Sequence, residues 1–93
     1  MIEMIPSEFQ LSQNSPNPFS ERTVIKFCLP CKSRVRVDIV HAESGFVRCL
    51  KDEEKEAGTF EIELDARGML EGSYLCVFQV GDFMATKRMT LKR

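Results

Sequence analysis

The sequence predicts an all-β domain, folded as an antiparallel sandwich of about seven short strands. Apolar and polar residues alternate with a period of two over several short stretches. Turn-forming glycine and proline residues separate these stretches at intervals of roughly ten residues. No helical period persists beyond about two turns. Together these features are typical of a β-sandwich.

The first two predicted strands show the clearest alternation. One covers Thr23 to Leu29 and ends at Pro30, because proline cannot donate to a strand ladder. The next covers Arg34 to Ile39, with charged side chains between apolar ones, as in an antiparallel strand with one wet face. The residues predicted to face the core are Thr23, Ile25, Phe27, Leu29, Val35, Val37 and Ile39.

The middle of the chain is less regular. Ser44-Gly45 predicts a turn, and Phe46 to Leu50 a short strand. The polar stretch Lys51 to Glu56 is expected to be a loop or one helical turn, closed by Ala57-Gly58. Its acidic side chains are expected to be solvated, since the stretch lacks the alternating ligands and central glycine of a calcium loop.

Strict alternation returns in the last third of the chain. Thr59 to Leu64 predicts a strand, and Asp65 to Gly72 a connection. Ser73 to Val80 and Phe83 to Leu91 predict a final pair of strands joined by a tight turn at Gly81-Asp82. The residues predicted to face the core are Phe60, Ile62, Leu64, Tyr74, Cys76, Phe78 and Val80.

Size and charge limit the function classes. The 93 residues suffice for one domain, and the hydrophobic content of 43% is too high for disorder. With 13 basic against 14 acidic residues, no nucleic-acid partner is expected. No apolar run approaches the ~20 residues of a membrane span, so no membrane insertion is expected. The N-terminus lacks the features of a signal peptide, so the protein either stays inside or belongs to a longer exported chain.

Four cysteines are the strongest candidates for site chemistry. Cys28 and Cys31 have the C-x-x-C spacing of a redox pair or half a zinc site, which Cys49 and Cys76 could complete. However, a second C-x-x-C is missing, and Pro30 sits between strands rather than at the start of a helix. The interpretation favoured is buried or incidental thiols, with a disulfide or a metal site as alternatives. No cofactor or metal is expected.

No catalytic arrangement is predicted. His41 is the only histidine, and it is interpreted as a surface residue at a strand end. With Glu43 and Ser44 it forms a sequence trio, but neighbours in sequence are expected to point apart, and no nucleophile elbow accompanies them. The chain is therefore predicted not to be an enzyme.

One segment is unusual. In residues 9–20, FQLSQNSPNPFS, two prolines flank an asparagine and an aromatic residue follows. This segment resembles the opening of the immunoglobulin-like C-terminal sorting domains of the type IX (Por) secretion system, which are related to the immunoglobulin-like domain of hook-capping proteins. The resemblance extends to residue 93 through the strand patterns, the Ala57-Gly58 turn, the series Leu70, Gly72 and Tyr74, and the basic last strand.

The resemblance implies an immunoglobulin-like sandwich over residues 9–93, preceded by a lead-in arm at 1–8. It implies a sorting signal that directs an attached cargo to the outer-membrane translocon, located from periplasm to cell surface, or secreted, if the chain is part of a longer exported protein. The implied partners are the secretion machinery or the cargo. The candidate recognition residues are Asn14, Pro16, Asn17, Pro18, Phe19, Gly72, Tyr74, Lys87, Arg88 and Lys92.

Several of these residues also have a structural interpretation. Asn14 and Asn17 could bond nearby backbone groups and brace a rigid corner, and Phe19 could plug the sandwich edge. Tyr74 could be a core tyrosine with a bonded hydroxyl. The basic last strand could be a handle for a partner, an edge for a second copy, or a strand that its charges protect from aggregation. The alternative function is accordingly a structural or assembly module, such as a homodimer formed through edge strands.

Overall fold

Seven β-strands make up the domain in the computed structural model, which describes residues 6–93. No residue in that range is helical, so the all-β prediction is confirmed. Residues 6–93 accordingly include no helix long and apolar enough to cross a bilayer. The strands are β1 (Gln10–Leu11), β2 (Arg22–Leu29), β3 (Ser33–His41), β4 (Val47–Lys55), β5 (Gly58–Asp65), β6 (Gly72–Val80) and β7 (Phe83–Leu91).

The strands form two stacked antiparallel sheets. The three-stranded sheet has the order β1-β2-β5, and the four-stranded sheet has the order β4-β3-β6-β7. The predicted β-sandwich is therefore confirmed. Near the start of β6, the Tyr74 hydroxyl donates to the carbonyl of Leu70, four residues upstream. Immunoglobulin-like sandwiches have a tyrosine with this bond at the corresponding corner.

The core lies between the inner rows of the two sheets, as the period-two pattern predicts. At its centre the ring of Phe27 lies 5.4 Å from the rings of both Phe60 and Phe78, which joins the two sheets directly. Phe60 is itself half-buried. The inner residues of β3, Val35, Val37 and Ile39, are fully buried, as are Thr23, Ile25, Leu29, Leu64, Tyr74, Cys76 and Met89.

The prediction of a loop or helical turn at Lys51 to Glu56 is wrong. Residues 51–55 continue β4 as the edge of the four-stranded sheet. The register sets Glu54 opposite Arg34 and Asp52 opposite Arg36, so opposite charges face each other across the strands. Such cross-strand pairs can outweigh the low intrinsic β-propensity of glutamate and lysine. A register shift between Val37 and Asp38 marks a β-bulge in this pairing.

The predicted lead-in arm, residues 1–8, lies only partly within the described structure. Residues 1–5 lie outside the described part of the chain, and residues 6–8 precede β1. The ring of Phe9 stacks on that of Phe83, with 5.4 Å between the centroids. Packing of the chain onto the β6–β7 hairpin thus begins at Phe9.

Candidate functional site

Residues 13–19, here called the proline corner, leave β1 and cross from one sheet to the other. Asn14 is buried at their centre and only 4% exposed. Its side-chain amide donates to the carbonyl of Pro16 and to the hydroxyl of Thr23, both at 3.0 Å. Its carbonyl oxygen accepts from the Gln13 amide at 2.7 Å. Asn14 therefore holds the corner in place from inside rather than facing a partner.

The corner is fastened to the end of β7, 73 residues away in the sequence. The side-chain oxygen of Asn17 accepts from the backbone N–H of Thr90 at 3.0 Å. The Phe19 N–H donates to the Thr90 carbonyl at 3.0 Å, and the Lys92 N–H donates to the Phe19 carbonyl at 2.9 Å. The Phe19 ring is 2% exposed and belongs to the core. These contacts cover the outer edge of β7 at its C-terminal end.

The exposed part of this surface combines prolines with basic side chains. Pro16, Asn17 and Pro18 are exposed, and the peptide bonds before both prolines are cis. Arg88 and Lys92 are also exposed, and neither forms an ion pair with an acidic side chain of residues 6–93. The segments that the resemblance marks at opposite ends of the chain are therefore neighbours in space.

The basic residues near the C-terminal end of the sequence lie in different environments. Lys87 shares the inward row of β7 with the buried Met89, whereas Arg88 lies on the opposite face. Arg93 is bound within the domain, since its guanidinium donates to the carbonyls of Ala66 and Met69 at 2.7 Å each. Of the basic residues at this end, only Arg88 and Lys92 are thus placed at the proline corner with exposed side chains.

The prediction that His41 is a surface residue is wrong. It is 4% exposed, and its ring lies edge-on to that of Tyr74, with 4.8 Å between centroids. Nε2 lies 2.9 Å from the Glu71 carbonyl, which can only accept, so Nε2 carries the proton. Nδ1 then accepts from the backbone N–H of Ser44 at 3.1 Å.

The expectation that His41 and Ser44 point apart is also wrong. Nδ1 lies 2.9 Å from the Ser44 hydroxyl oxygen, which in turn accepts from the backbone N–H of Phe46 at 3.2 Å. Both ring nitrogens are therefore used to brace the β3–β4 turn and the segment before β6. This arrangement fixes the turn.

Gly72 is placed where only glycine fits. Its φ is +131°, and an added Cβ would lie 2.9 Å from Nε2 of His41. Gly72 and Tyr74 are thus both determined by packing around the histidine. Burial raises the pKa of the Tyr74 hydroxyl, which favours its protonated, donating form.

A cavity of about 500 Å³ opens in front of this cluster. Its lining includes the exposed apolar side chains of Phe46, at 53% exposure, and Leu70, at 61%, together with Met69. Its volume falls in the range of small-ligand sites. The polar groups at its floor, His41, Ser44 and Tyr74, are already bonded within the domain.

The four cysteines are free. Cys76 is buried in the core, as predicted, and burial raises its pKa to about 12. Cys31 and Cys49 are exposed, whereas Cys28 is half-buried. Among residues 6–93, no three side chains of the His, Cys, Asp or Glu type are grouped so as to hold a metal ion.

Sequence reasoning missed the role of His41, although a signal for it was present. His41 has the same odd parity as the inward-facing Val35, Val37 and Ile39, so period-two alternation continued to residue 41 would have placed it inside. The bond between Asn17 and Thr90 had no such signal, because no local pattern links residues 73 apart.

Comparison with protein-family models, with curated proteins and with solved structures found no match for this chain.

Proposed function

We propose that this chain is a non-catalytic recognition module that acts as a C-terminal sorting domain, directing an attached cargo to the outer-membrane type IX translocon. The observation that carries the proposal is the joining of the proline corner to the end of β7. The exposed residues that would meet the machinery are Pro16, Asn17, Pro18, Arg88 and Lys92. The remaining candidates support this surface from within the domain.

The physical properties of the surface suit a docking signal. The corner is held by backbone bonds at Phe19 and by the buried amide of Asn14, so little conformational entropy remains to be lost on binding. Arg88 and Lys92 carry charges that an acidic partner surface would attract, which would raise the association rate. A rigid corner with basic residues beside it therefore favours recognition over chemistry.

The test is a secretion assay. Residues 9–93 would be fused behind a periplasmic reporter in a host with a type IX system, and the secreted fraction would be measured. We expect secretion with the native domain and a reduced secreted fraction with Arg88→Ser and Lys92→Ser combined. The matched control combines Arg22→Ser and Lys26→Ser, which remove two exposed positive charges from the other sheet.

Two results would contradict the proposal. One is a folded fusion that stays in the periplasm with the native domain. The other is a double variant, Arg88→Ser with Lys92→Ser, that is secreted as well as the native domain. Circular dichroism of each isolated domain would establish that a loss of secretion is not a loss of folding.

A further inference from the structure

The two sheets have four edges, and three of them are protected against pairing with another strand. β1 is only two residues long. The C-terminal end of β7 is covered by the proline corner, and the strand also carries Lys87 and Arg88. β4 is bulged and carries Lys51 and Lys55. Short strands, covering segments, bulges and lysines are the usual means of protecting an edge.

The remaining edge, β5, has none of these protections. It pairs with β2 over eight residues, Gly58–Asp65, without a register shift, and it contains no proline, lysine or arginine. Among residues 6–93, no backbone hydrogen bond joins its outer side to another segment. β5 therefore presents a regular row of free backbone groups to a further strand.

The residues that present these groups follow from the hydrogen bonds of β2. On the side away from β5, the Lys26 carbonyl accepts from Ser12, and Val24 exchanges both backbone bonds with Ser15. Lys26 is opposite Glu61 and Val24 is opposite Glu63, so these two pairs are not hydrogen-bonded to each other. The backbone N–H and C=O of Glu61 and Glu63 therefore point out of the sheet edge.

The same two residues carry the charge of the outer face. Their side chains are exposed, and the one ion pair that Glu61 makes within residues 6–93 is with Lys26, at 3.6 Å, on the β2 side. Across the sheet, a row with basic Arg22 and Lys26 lies beside an acidic row of Glu61, Glu63 and Asp65. A strand added beyond β5 would continue this alternation if it were basic. Opposite charges on facing residues stabilise a strand pair, and like charges destabilise it.

We propose that β5 is a docking edge for an extended segment of a partner protein with lysine or arginine at alternate positions. The segment would add to the sheet by bonding the backbone of Glu61 and Glu63, and its basic side chains would face those two carboxylates. A second β5 strand suits the edge poorly, because antiparallel pairing centred on Glu61, Ile62 or Glu63 sets acid against acid in each case. This surface is separate from the proline corner and does not depend on the sorting function.

The experiment uses the whole chain labelled with nitrogen-15 and a capped probe peptide, Thr-Lys-Val-Lys-Val-Lys-Thr. The control peptide, Thr-Val-Lys-Lys-Lys-Val-Thr, has the same composition without the alternation. We expect chemical-shift changes and slowed amide exchange at Thr59, Glu61 and Glu63 with the probe, and at least severalfold weaker binding of the control peptide.

Two sets of variants locate the contact. Glu61→Lys with Glu63→Lys is expected to weaken probe binding about tenfold, because two facing pairs at about 0.2–1 kcal/mol each become repulsive. Glu8→Lys with Glu43→Lys makes the same change in net charge at exposed positions outside β5 and is expected to leave binding unchanged. Glu63→Pro removes one outward N–H, which an edge strand tolerates, and is expected to weaken binding severalfold.

Several results would overturn the proposal: no shift at β5 with millimolar probe, equal binding of the two peptides, or full affinity in the Glu61→Lys, Glu63→Lys protein. Self-association through β5 in sedimentation experiments would assign the edge to a second copy and would also overturn it. If Glu63→Pro fails to fold, the charge-reversal pair decides the question, since both glutamates are exposed.

Discussion

Gly72→Ala offers a sharp test of how the end of the sandwich is built. An alanine Cβ at this position would lie 2.9 Å from Nε2 of His41, and the backbone φ of +131° is one that side chains rarely adopt. The ring cannot move away freely, because Nε2 donates to the Glu71 carbonyl and the ring packs against Tyr74. The substitution therefore strains the backbone and displaces a buried hydrogen bond at once.

The expected magnitude has two parts. A residue with a side chain held at a rare positive φ costs about 1–3 kcal/mol. Loss of the bond between His41 and the Glu71 carbonyl leaves a buried donor unsatisfied, which costs about 1–3 kcal/mol more. We expect Gly72→Ala to lower the free energy of unfolding by about 2–6 kcal/mol, measured by urea denaturation.

A double-mutant cycle separates the two parts. In a His41→Ala background the steric contact is gone, so Gly72→Ala should retain only its backbone cost, and the cycle should give a coupling energy of about 1–3 kcal/mol. Gly68→Ala is the control, since φ there is +87° and nothing lies within 4 Å of the added Cβ. A coupling energy below about 0.5 kcal/mol would refute the contact with the ring, and a Gly72→Ala protein as stable as the native one would refute the whole argument.

Two further predictions concern thiols and acid. Under native conditions a disulfide-exchange reagent should label Cys31 rapidly, Cys49 more slowly and Cys76 only on unfolding, because burial and the neighbouring Asp38 raise the pKa of Cys49, and burial raises the pKa of Cys76 to about 12. Labelling of Cys76 at the rate of Cys31 would contradict its place in the core. Hydrogen bonds from Arg67 lower the pKa of Asp65 from 3.8 to about 2, so the stabilisation from this pair is present above pH 3.8 and is lost as the pH falls towards 2. A carboxyl titration by nuclear magnetic resonance should show the pKa of Asp65 rising only part of the way to its ordinary value in Arg67→Ala, because the backbone N–H of residue 67 still donates to the carboxylate. No change in this pKa would count against the pair.

The strand framework follows from the sequence because alternation is a local signal. The final hairpin, with strands at Gly72–Val80 and Phe83–Leu91 around Gly81-Asp82, agrees closely with prediction. β4 departs from it, because its strand character comes from pairing with Arg34 and Arg36 rather than from its own residues. Period and turn chemistry can be read from neighbouring residues, whereas cross-strand partners cannot.

The candidate site shows the same division. The bracing role expected of Asn14 agrees with the structure, since its amide donates to the carbonyl of Pro16, two residues on. Asn17 also braces the corner, but through a distant backbone group rather than the neighbouring one expected. That Asn17 would bond Thr90, however, depends on the closure of the whole sandwich. Period-two alternation could have predicted that His41 is buried, but its place at the end of a strand favoured a surface assignment.

The joining of residues 13–19 to residues 88–92 also bears on the order of folding. Phe19 reaches its buried position beside Leu91 only when both extremes of the domain meet, so this part of the core cannot form during synthesis until the last strand has emerged. Contacts of such long range slow folding, because the chain loses the entropy of closing a large loop before the stabilising contacts form. The proline corner of a nascent chain would thus remain open until β7 has been made, and a protease that clipped the chain within β7 would leave Phe19 without its neighbours Thr90 and Leu91.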